Sequence, residues 1–221
     1  MLKLGIDDAG RGPVIGPMVL AGCLIDDSFE KELRKLGVKD SKQLTPKRRE
    51  MLVEKIKELA ETFEIVIINP LIIDGNGGER IKLNELEALA AAKIINKINK
   101  GFSKIEVLID CPSTSLVKWA EFLKIKIKNL KNLNIRCEHK ADRNHLSVSA
   151  ASILAKSVRE KEMDKLRKKY GEEIGSGYTS DPLTIKFLEK NVLKFEDHGI
   201  FRKTWETFKR AKKNLGQRKL V

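Results

Sequence analysis

The chain has 221 residues, 34% of them charged and 41% hydrophobic, and carries a formal net charge of +13. That length holds one sizeable core with room for a small appendage, and the balance is that of a folded chain rather than a disordered one. No apolar run approaches the roughly 20 residues that span a bilayer, and the surplus of Lys and Arg points to an acidic partner, nucleic acid or an anionic membrane, against the plainer reading of a lysine-rich soluble surface.

The chain enters a strand within a few residues, with no basic leader before an apolar stretch, so a cytoplasmic location is expected. Residues 2–8 and 18–25 are β-rich and are predicted to pair antiparallel as a hairpin with a wide connection. The end of the first run, Leu4-Gly5-Ile6-Asp7-Asp8-Ala9-Gly10-Arg11-Gly12-Pro13-Val14-Ile15-Gly16, organises the rest. Here an apolar strand meets two adjacent carboxylates and breaks into a glycine-rich turn bearing one arginine. Adjacent residues of a flat strand point to opposite faces, so Asp7 and Asp8 can share a site only at a strand end or kink. A polar stretch then runs to Gly37. Thr45 as N-cap and Pro46 at the first helical position announce a helix to about Thr62, and residues 63–69 make a third strand closed by Pro70. Residues 74–79, rich in glycine, read as a connection rather than a phosphate cradle. A helix follows from about Asn84, with Leu86, Leu89, Ala90 and Ile94 on one face.

Residues 105–109 form a short β-branched strand that ends on Asp110. A fifth strand over 133–137 leads to Asp142, and residues 148–170 read as a long helix. Strands alternate with helices in the second half and form a hairpin in the first, which predicts a mixed sheet. Beyond Gly171 a loop, a short helix over about 183–189 and a basic helix over about 203–213 predict a small helical subdomain. The expected division is therefore 1–172 and 173–221. Cys23, Cys111 and Cys137 are odd in number and widely spaced, and read as reduced core thiols.

Asp7, Asp8, Asp110 and Asp142 each lie at or just after a strand end. If those strands are neighbours, four carboxylates converge at one edge of the sheet. Such a set suits magnesium, which takes oxygen ligands at about 2.0–2.1 Å, and a pair of ions about 3.5–4 Å apart can hold both the attacking and the leaving oxygen of a phosphodiester. Gathered without a cation, the acids repel one another. The spacing Gly10-x-Gly12-x-x-x-Gly16 misses the dinucleotide-binding fingerprint and leads into a strand, and no phosphate-binding loop ending in Gly-Lys-Ser/Thr is present. His139, His145 and His198 read as hydrogen-bonded side chains rather than metal ligands. Tyr178 and Trp205 either stack on bases or pack.

The run Ile6-Asp7-Asp8-Ala9-Gly10-Arg11-Gly12-Pro13 resembles the amino-terminal signature of the type 2 ribonucleases H (ribonuclease HII), usually Asp-Glu-Ala-Gly-Arg-Gly. The likeness continues through Asp40-Ser41-Lys42-Gln43-Leu44, Ile109-Asp110, Glu138-His139-Lys140-Ala141-Asp142, Ser149-Ala150-Ala151-Ser152-Ile153-Leu154-Ala155-Lys156, Gly175-Ser176-Gly177-Tyr178-Thr179-Ser180-Asp181-Pro182 and Arg202-Lys203-Thr204-Trp205. It covers nearly the whole chain and is nearest to the archaeal-type, single-subunit form.

The resemblance implies a ribonuclease H-like α/β fold, a five-stranded mixed sheet flanked by helices with a helical carboxy-terminal extension. It implies an endonuclease that cuts the RNA strand of RNA/DNA hybrids and cuts at ribonucleotides embedded in duplex DNA, in replication and ribonucleotide excision repair, leaving a 3′-hydroxyl and a 5′-phosphate. Asp7, Asp110 and Asp142 would be catalytic metal ligands, Asp8 the fourth, and the cofactor two Mg²⁺ or Mn²⁺ ions. Gly10, Arg11 and Gly12 would read the junction from RNA to DNA, Tyr178 would meet the ribose, and Lys42 would contact a phosphate. Asp8 departs from the family's Glu by one methylene, which leaves open a hybrid-binding protein with weakened or absent catalysis. His145-Leu146 replaces the usual Tyr-Pro. A monomer without membrane attachment is expected. The tail Gln217-Arg218-Lys219-Leu220-Val221 resembles the start of a sliding-clamp-binding peptide but lacks its aromatic pair, so a frayed basic end is the expected reading.

Overall fold

The computed structural model describes residues 1–38, 45–75, 78 and 81–218. Five strands, β1 (Leu2–Ala9), β2 (Met18–Ile25), β3 (Thr62–Ile68), β4 (Ile105–Asp110) and β5 (Leu133–Glu138), form one sheet in the order β3-β2-β1-β4-β5. β1 runs antiparallel to β2 and parallel to β4, and β4 runs parallel to β5, so the sheet is mixed as the pattern predicts. β2 is buried along its whole length, consistent with its unbroken apolar sequence.

Nine α-helices are described: α1 (Asp27–Lys35), α2 (Pro46–Leu59), α3 (Pro70–Ile73), α4 (Leu83–Ile98), α5 (Leu116–Ile125), α6 (Ala141–Asn144), α7 (Leu146–Tyr170), α8 (Pro182–Asn191) and α9 (Glu206–Arg218). Two glycines set how closely helices approach the sheet. A Cβ on Gly5 would lie 2.1 Å from the Ser147 backbone at the start of α7, and one on Gly22 would lie 2.3 Å from the Ile94 side chain of α4. Gly5 pairs with Cys23 and Ile6 with Gly22 across β1 and β2, so odd positions of β1 face α7 and even positions face α4.

The chain folds as two compact units, Met1–Ala9 with Val19–Val66 and Lys82–Ser157, and Gly10–Met18 with Ile67–Ile81 and Val158–Val221. This division differs from a single cut after residue 172, because the glycine loop and residues 67–81 join the carboxy-terminal residues. The first unit holds most of the sheet, with Leu4, Ile6, Val19, Val107 and Ile109 in its core. The second has its own core, in which Val14 and Ile15 pack with Phe187, Phe201 and Phe208. Aromatic rings fill it: Phe187 stacks with Phe195 at 6.0 Å, and Tyr170 meets Phe195 edge-on at 5.1 Å.

Three segments depart from the expected elements. The polar stretch before Gly37 contains α1, whose N-cap Asp26 accepts from Phe29 N at 2.8 Å and whose only buried side chains are Phe29 and Leu33. α5 fills part of the interval between β4 and β5. Asp74, expected in a loose connection, accepts from Lys203 N at 2.6 Å, Thr204 N at 3.1 Å and Thr204 Oγ1 at 2.6 Å. Cys23, Cys111 and Cys137 are free thiols, Cys137 only partly buried, and burial pushes Cys23 and Cys137 up to about 12, which disfavours the thiolate at both. Among the described residues no helix is long and apolar enough to cross a membrane.

Candidate active site

Strand register brings the first acids together. Ile6 lies beside Ile109, so Asp7 and Asp110 are the next pair along the adjoining ends of β1 and β4, both on the face toward α7. Asp8 turns to the face toward α4. Asp7 is 6% exposed and accepts from Asp8 N at 2.8 Å. Burial is the main force pushing the Asp7 carboxyl up to about 8. The charge of Asp8 and then that of Asp110 add to it, while the Ser152 hydroxyl and the Asp8 N–H favour the ionised form.

Asp142 arrives from β5 by a strained turn. Lys140 takes the left-handed conformation at φ 57°, the single non-glycine residue described that does so, and α6 begins immediately after it. Asp110 accepts from Ala141 N at 3.2 Å, which ties the end of β4 to the helix that carries Asp142. Cys111 N donates to Glu138 O at 2.9 Å, and His139 Nδ1 donates to Cys111 O at 3.0 Å. His145 is the extended residue between α6 and α7, and its Nε2 donates to Glu138 at 2.8 Å. The His145-Leu146 step therefore makes an ordered turn, and all three histidines are hydrogen-bonded, His198 with the Tyr170 hydroxyl at 3.2 Å.

Asp7, Asp8 and Asp110 line one small cavity, whose walls include Ile109 and Trp119, and a fourth acid joins them there. This is Glu87 of α4, 2% exposed, which the sequence reading missed. Its signal is an acid set among the buried residues Leu86, Ala88, Ala90 and Ala91. Asp142 is 7% exposed but does not line this cavity. Among the described residues no three His, Cys, Asp or Glu side chains stand close enough to cage a cation by themselves. The donor set is nonetheless all oxygen, and magnesium binds through one or two carboxylates plus waters and substrate phosphate rather than a protein cage. The residues fit a hard divalent ion of that kind.

The glycine loop belongs to the second unit and is held by a buried arginine, the first residue of the run Arg202-Lys203-Thr204-Trp205. Arg202 is fully buried; its Nη1 donates to Arg11 O at 2.7 Å, its Nη2 to Gly10 O at 2.6 Å and Gly16 O at 3.0 Å, and its Nε to Gly16 O at 3.1 Å. Trp205 packs over the same guanidinium at 5.1 Å and donates its Nε1–H to Gly12 O at 3.2 Å. Val14 N and Ile15 N both donate to Gly177 O, at 2.9 and 3.2 Å, which joins the loop to the turn preceding Tyr178. Tyr178 is 39% exposed, with the Arg159 guanidinium 4.8 Å from its ring. Gly10 needs glycine for its φ of 81° and its contact with Arg159. Gly12 is exposed, and a side chain there would meet nothing within 4 Å. Lys42 lies outside the described residues.

A mixed sheet of this strand order, with acids at the adjoining ends of the parallel pair β1 and β4, is that of the ribonuclease H-like class of nuclease folds. The sequence profile of Ribonuclease HII matches residues 4–208. A Ribonuclease HII of Pyrococcus abyssi is 40% identical over 226 residues, covering 100% of this chain and 96% of the relative. The crystal structure of the ribonuclease H2 from Pyrococcus horikoshii superposes with a TM-score of 0.86 at 38% identity, covering 98% of this chain and 100% of the other. The ribonuclease HII of Archaeoglobus fulgidus, solved as a complex with PCNA, gives 0.81 at 36% identity, covering 93% and 96%. The chain belongs to the ribonuclease HII family. It is an endoribonuclease, a hydrolase of phosphodiester bonds.

Proposed function

We propose that the chain hydrolyses the RNA strand of RNA/DNA hybrids and cuts at single ribonucleotides embedded in duplex DNA, in the cytoplasm and as a monomer, in the service of replication and excision repair. The observation that carries this reading is Asp7, buried where β1 and β4 end together and flanked by Asp8 and Asp110. A buried carboxyl flanked by two other acids is the kind of group that an arriving divalent cation would stabilise in its ionised form.

Asp7, Asp8, Asp110 and Asp142 would hold a pair of Mg²⁺ or Mn²⁺ ions. When bound, the ions supply an activated water and neutralise charge at the scissile phosphate. Asp7 gives up its carboxyl proton before it can ligate, since a ligand must be ionised. Asp110 would ligate from the end of β4, where the Ala141 N–H steadies its carboxylate, and Asp142 would enter from the turn that follows Lys140. Hydrolysis leaves a 3′-hydroxyl and a 5′-phosphate.

Gly10, Arg11 and Gly12 would read the RNA-to-DNA junction, with Tyr178 meeting the ribose and Lys42 contacting a phosphate. Glycine at position 12 is not demanded by the chain's own packing, which supports a loop kept bare for close approach by a ligand backbone. The 2′-hydroxyl is the group that distinguishes the substrate from plain DNA. The net charge of +13 supports a sequence-independent grip on phosphates. Full-length likeness to ribonucleases HII favours the enzyme over a hybrid-binding protein that has lost catalysis. A sliding clamp is a further partner by analogy with the Archaeoglobus fulgidus protein, although the tail of this chain lacks the aromatic pair of a clamp-binding peptide.

The deciding experiment compares duplexes with no, one or several ribonucleotides, in magnesium, manganese or chelator. Cleavage of the one-ribonucleotide duplex that needs the cation, with intact DNA left uncut, is the expected result. Equal cleavage of the all-DNA duplex would replace this reading with a DNA nuclease, and binding without cleavage would replace it with the hybrid-binding protein.

A further inference from the structure

Arg159 is a buried cation that the reaction outlined above does not use. It lies on α7 with 6% of its surface exposed, and its Nη2 donates to Ser176 O at 2.9 Å. The guanidinium carbon sits 4.8 Å from the centre of the Tyr178 ring. Its Nε has no hydrogen-bond partner and lies 2.3 Å from the point that a Cβ on Gly10 would occupy. One side chain therefore touches three things at once: the glycine loop at Gly10, the turn that Gly175 and Gly177 make with φ of 66° and 83°, and the tyrosine that ends that turn.

Burying a guanidinium is costly, and an apolar side chain of similar length would fill the space without that cost. What the guanidinium adds is a flat cation under an aromatic face and a directed bond to a carbonyl. Tyr178, packed on one side by that cation, remains 39% exposed and so presents ring surface outward. The ring is thus held without being buried.

We propose that Arg159 is a positioning residue that fixes the plane of the Tyr178 ring, and the Ser176 turn behind it, against Gly10, so that the ring is set for the ribose before substrate arrives. The functional half rests on the role given to Tyr178 above. Preorganisation of this sort lowers the ordering that binding must otherwise bring about.

The test uses the full chain carrying ring-labelled tyrosine, in which Tyr170 serves as the internal reference. Arg159→Met should shift and broaden the Tyr178 ring signals and leave those of Tyr170 in place, and Arg159→Lys, which keeps the charge but not the planar fork, should fall between Met and the parent. Unmoved Tyr178 signals in both variants would overturn the proposal. Cleavage of a one-ribonucleotide duplex below the melting transition supplies the second arm. Arg159→Met should lose about tenfold in kcat/KM, the scale of one cation–π contact, and should lose nothing further when combined with Tyr178→Ala. Losses that multiply in the double variant would show that Arg159 acts independently of the ring, and would also overturn it. A fully active Tyr178→Ala chain would remove the ribose role of Tyr178, whereas the placement of its ring is decided by the labelled spectrum alone. Should Arg159→Met not fold, the Lys variant carries both arms.

Discussion

At Asp7, Asp8 and Asp110 strand register gathers like charges, whereas from Gly10 to Gly16 a fully buried guanidinium spends four hydrogen bonds on backbone carbonyls. The first region is assembled against its own electrostatics, and Asp7 escapes by keeping its proton. The second is electrostatically finished, since the carbonyls satisfy the cation and the cation fixes the loop. Two ways of building a site follow from this. The acids form a surplus of like charge that a cation would relieve, while the loop forms a shape that its own hydrogen bonds hold.

Removing an acid should have the largest effect. Asp7→Asn and Asp110→Asn should each lower cleavage of a one-ribonucleotide duplex by about three orders of magnitude or more, because several kcal/mol of transition-state stabilisation by the cation is forfeited. Duplex binding, measured by fluorescence anisotropy, should survive. Undiminished turnover in either variant would end the metal-site assignment.

Breaking the loop clamp comes next. Arg202→Met should cost about 3 kcal/mol of stability in a denaturant titration, since it strands the carbonyls of Gly10, Arg11 and Gly16. A change below about 0.5 kcal/mol, the range of ordinary surface substitutions, would show that the loop holds itself.

The pH response sharpens the contrast through Asp7. In the folded, cation-free chain Asp7 keeps its proton to about pH 8, while in the unfolded chain it loses it near 3.8. Between those values the folded state binds more protons, so stability should fall as pH rises from about 4 to 8 and level off above. The total is on the order of a few kcal/mol. Asp7→Asn should flatten this slope and be the more stable chain at pH 8 in chelator. Denaturation at pH 5 and pH 8 measures it, and equal slopes in the two chains would count against a protonated Asp7.

The smallest effect expected is a gain. Asp8→Glu restores the reach that the family's usual acid has, and should raise the rate in magnesium several-fold, about 1 kcal/mol or less in the barrier. Magnesium tolerates poor geometry less well than larger ions, so manganese should narrow the difference. Equal rates in magnesium would mean that the cavity already accommodates the shorter acid.

Much of the acidic edge was legible because it is encoded locally. An apolar run stopping at Asp7-Asp8, another stopping at Asp110 and a turn reaching Asp142 are visible without knowing the sheet order. Glu87 was not, because a helix with apolar residues on nearly every side hides a single inward acid among its neighbours. α1 escaped notice because two inward side chains, Phe29 and Leu33, are too few to stand out from seven polar or charged ones. The roles of Arg159 and Arg202 were beyond reach for another reason. Carbonyls are the same at every residue, so a side chain that bonds to them leaves no complementary partner in the sequence. The division into units was hidden likewise, since residues 10–18 and 67–81 join residues 158–221 through contacts remote in the chain.

The parallel pairing of β1 with β4 sets Leu2 opposite Ile105, so during synthesis β1 must wait for about a hundred further residues before that edge is covered. At common synthesis rates the wait is about 5–20 s. During that interval β1 offers an unpaired edge, the feature through which nascent chains join one another. Lys3, Asp7 and Asp8 lie on that strand, and charges there make the joining of two copies unfavourable. Acids at the end of β1 should therefore also keep nascent chains apart, and chains neutral at positions 7 and 8 should leave a larger insoluble fraction on expression than the parent.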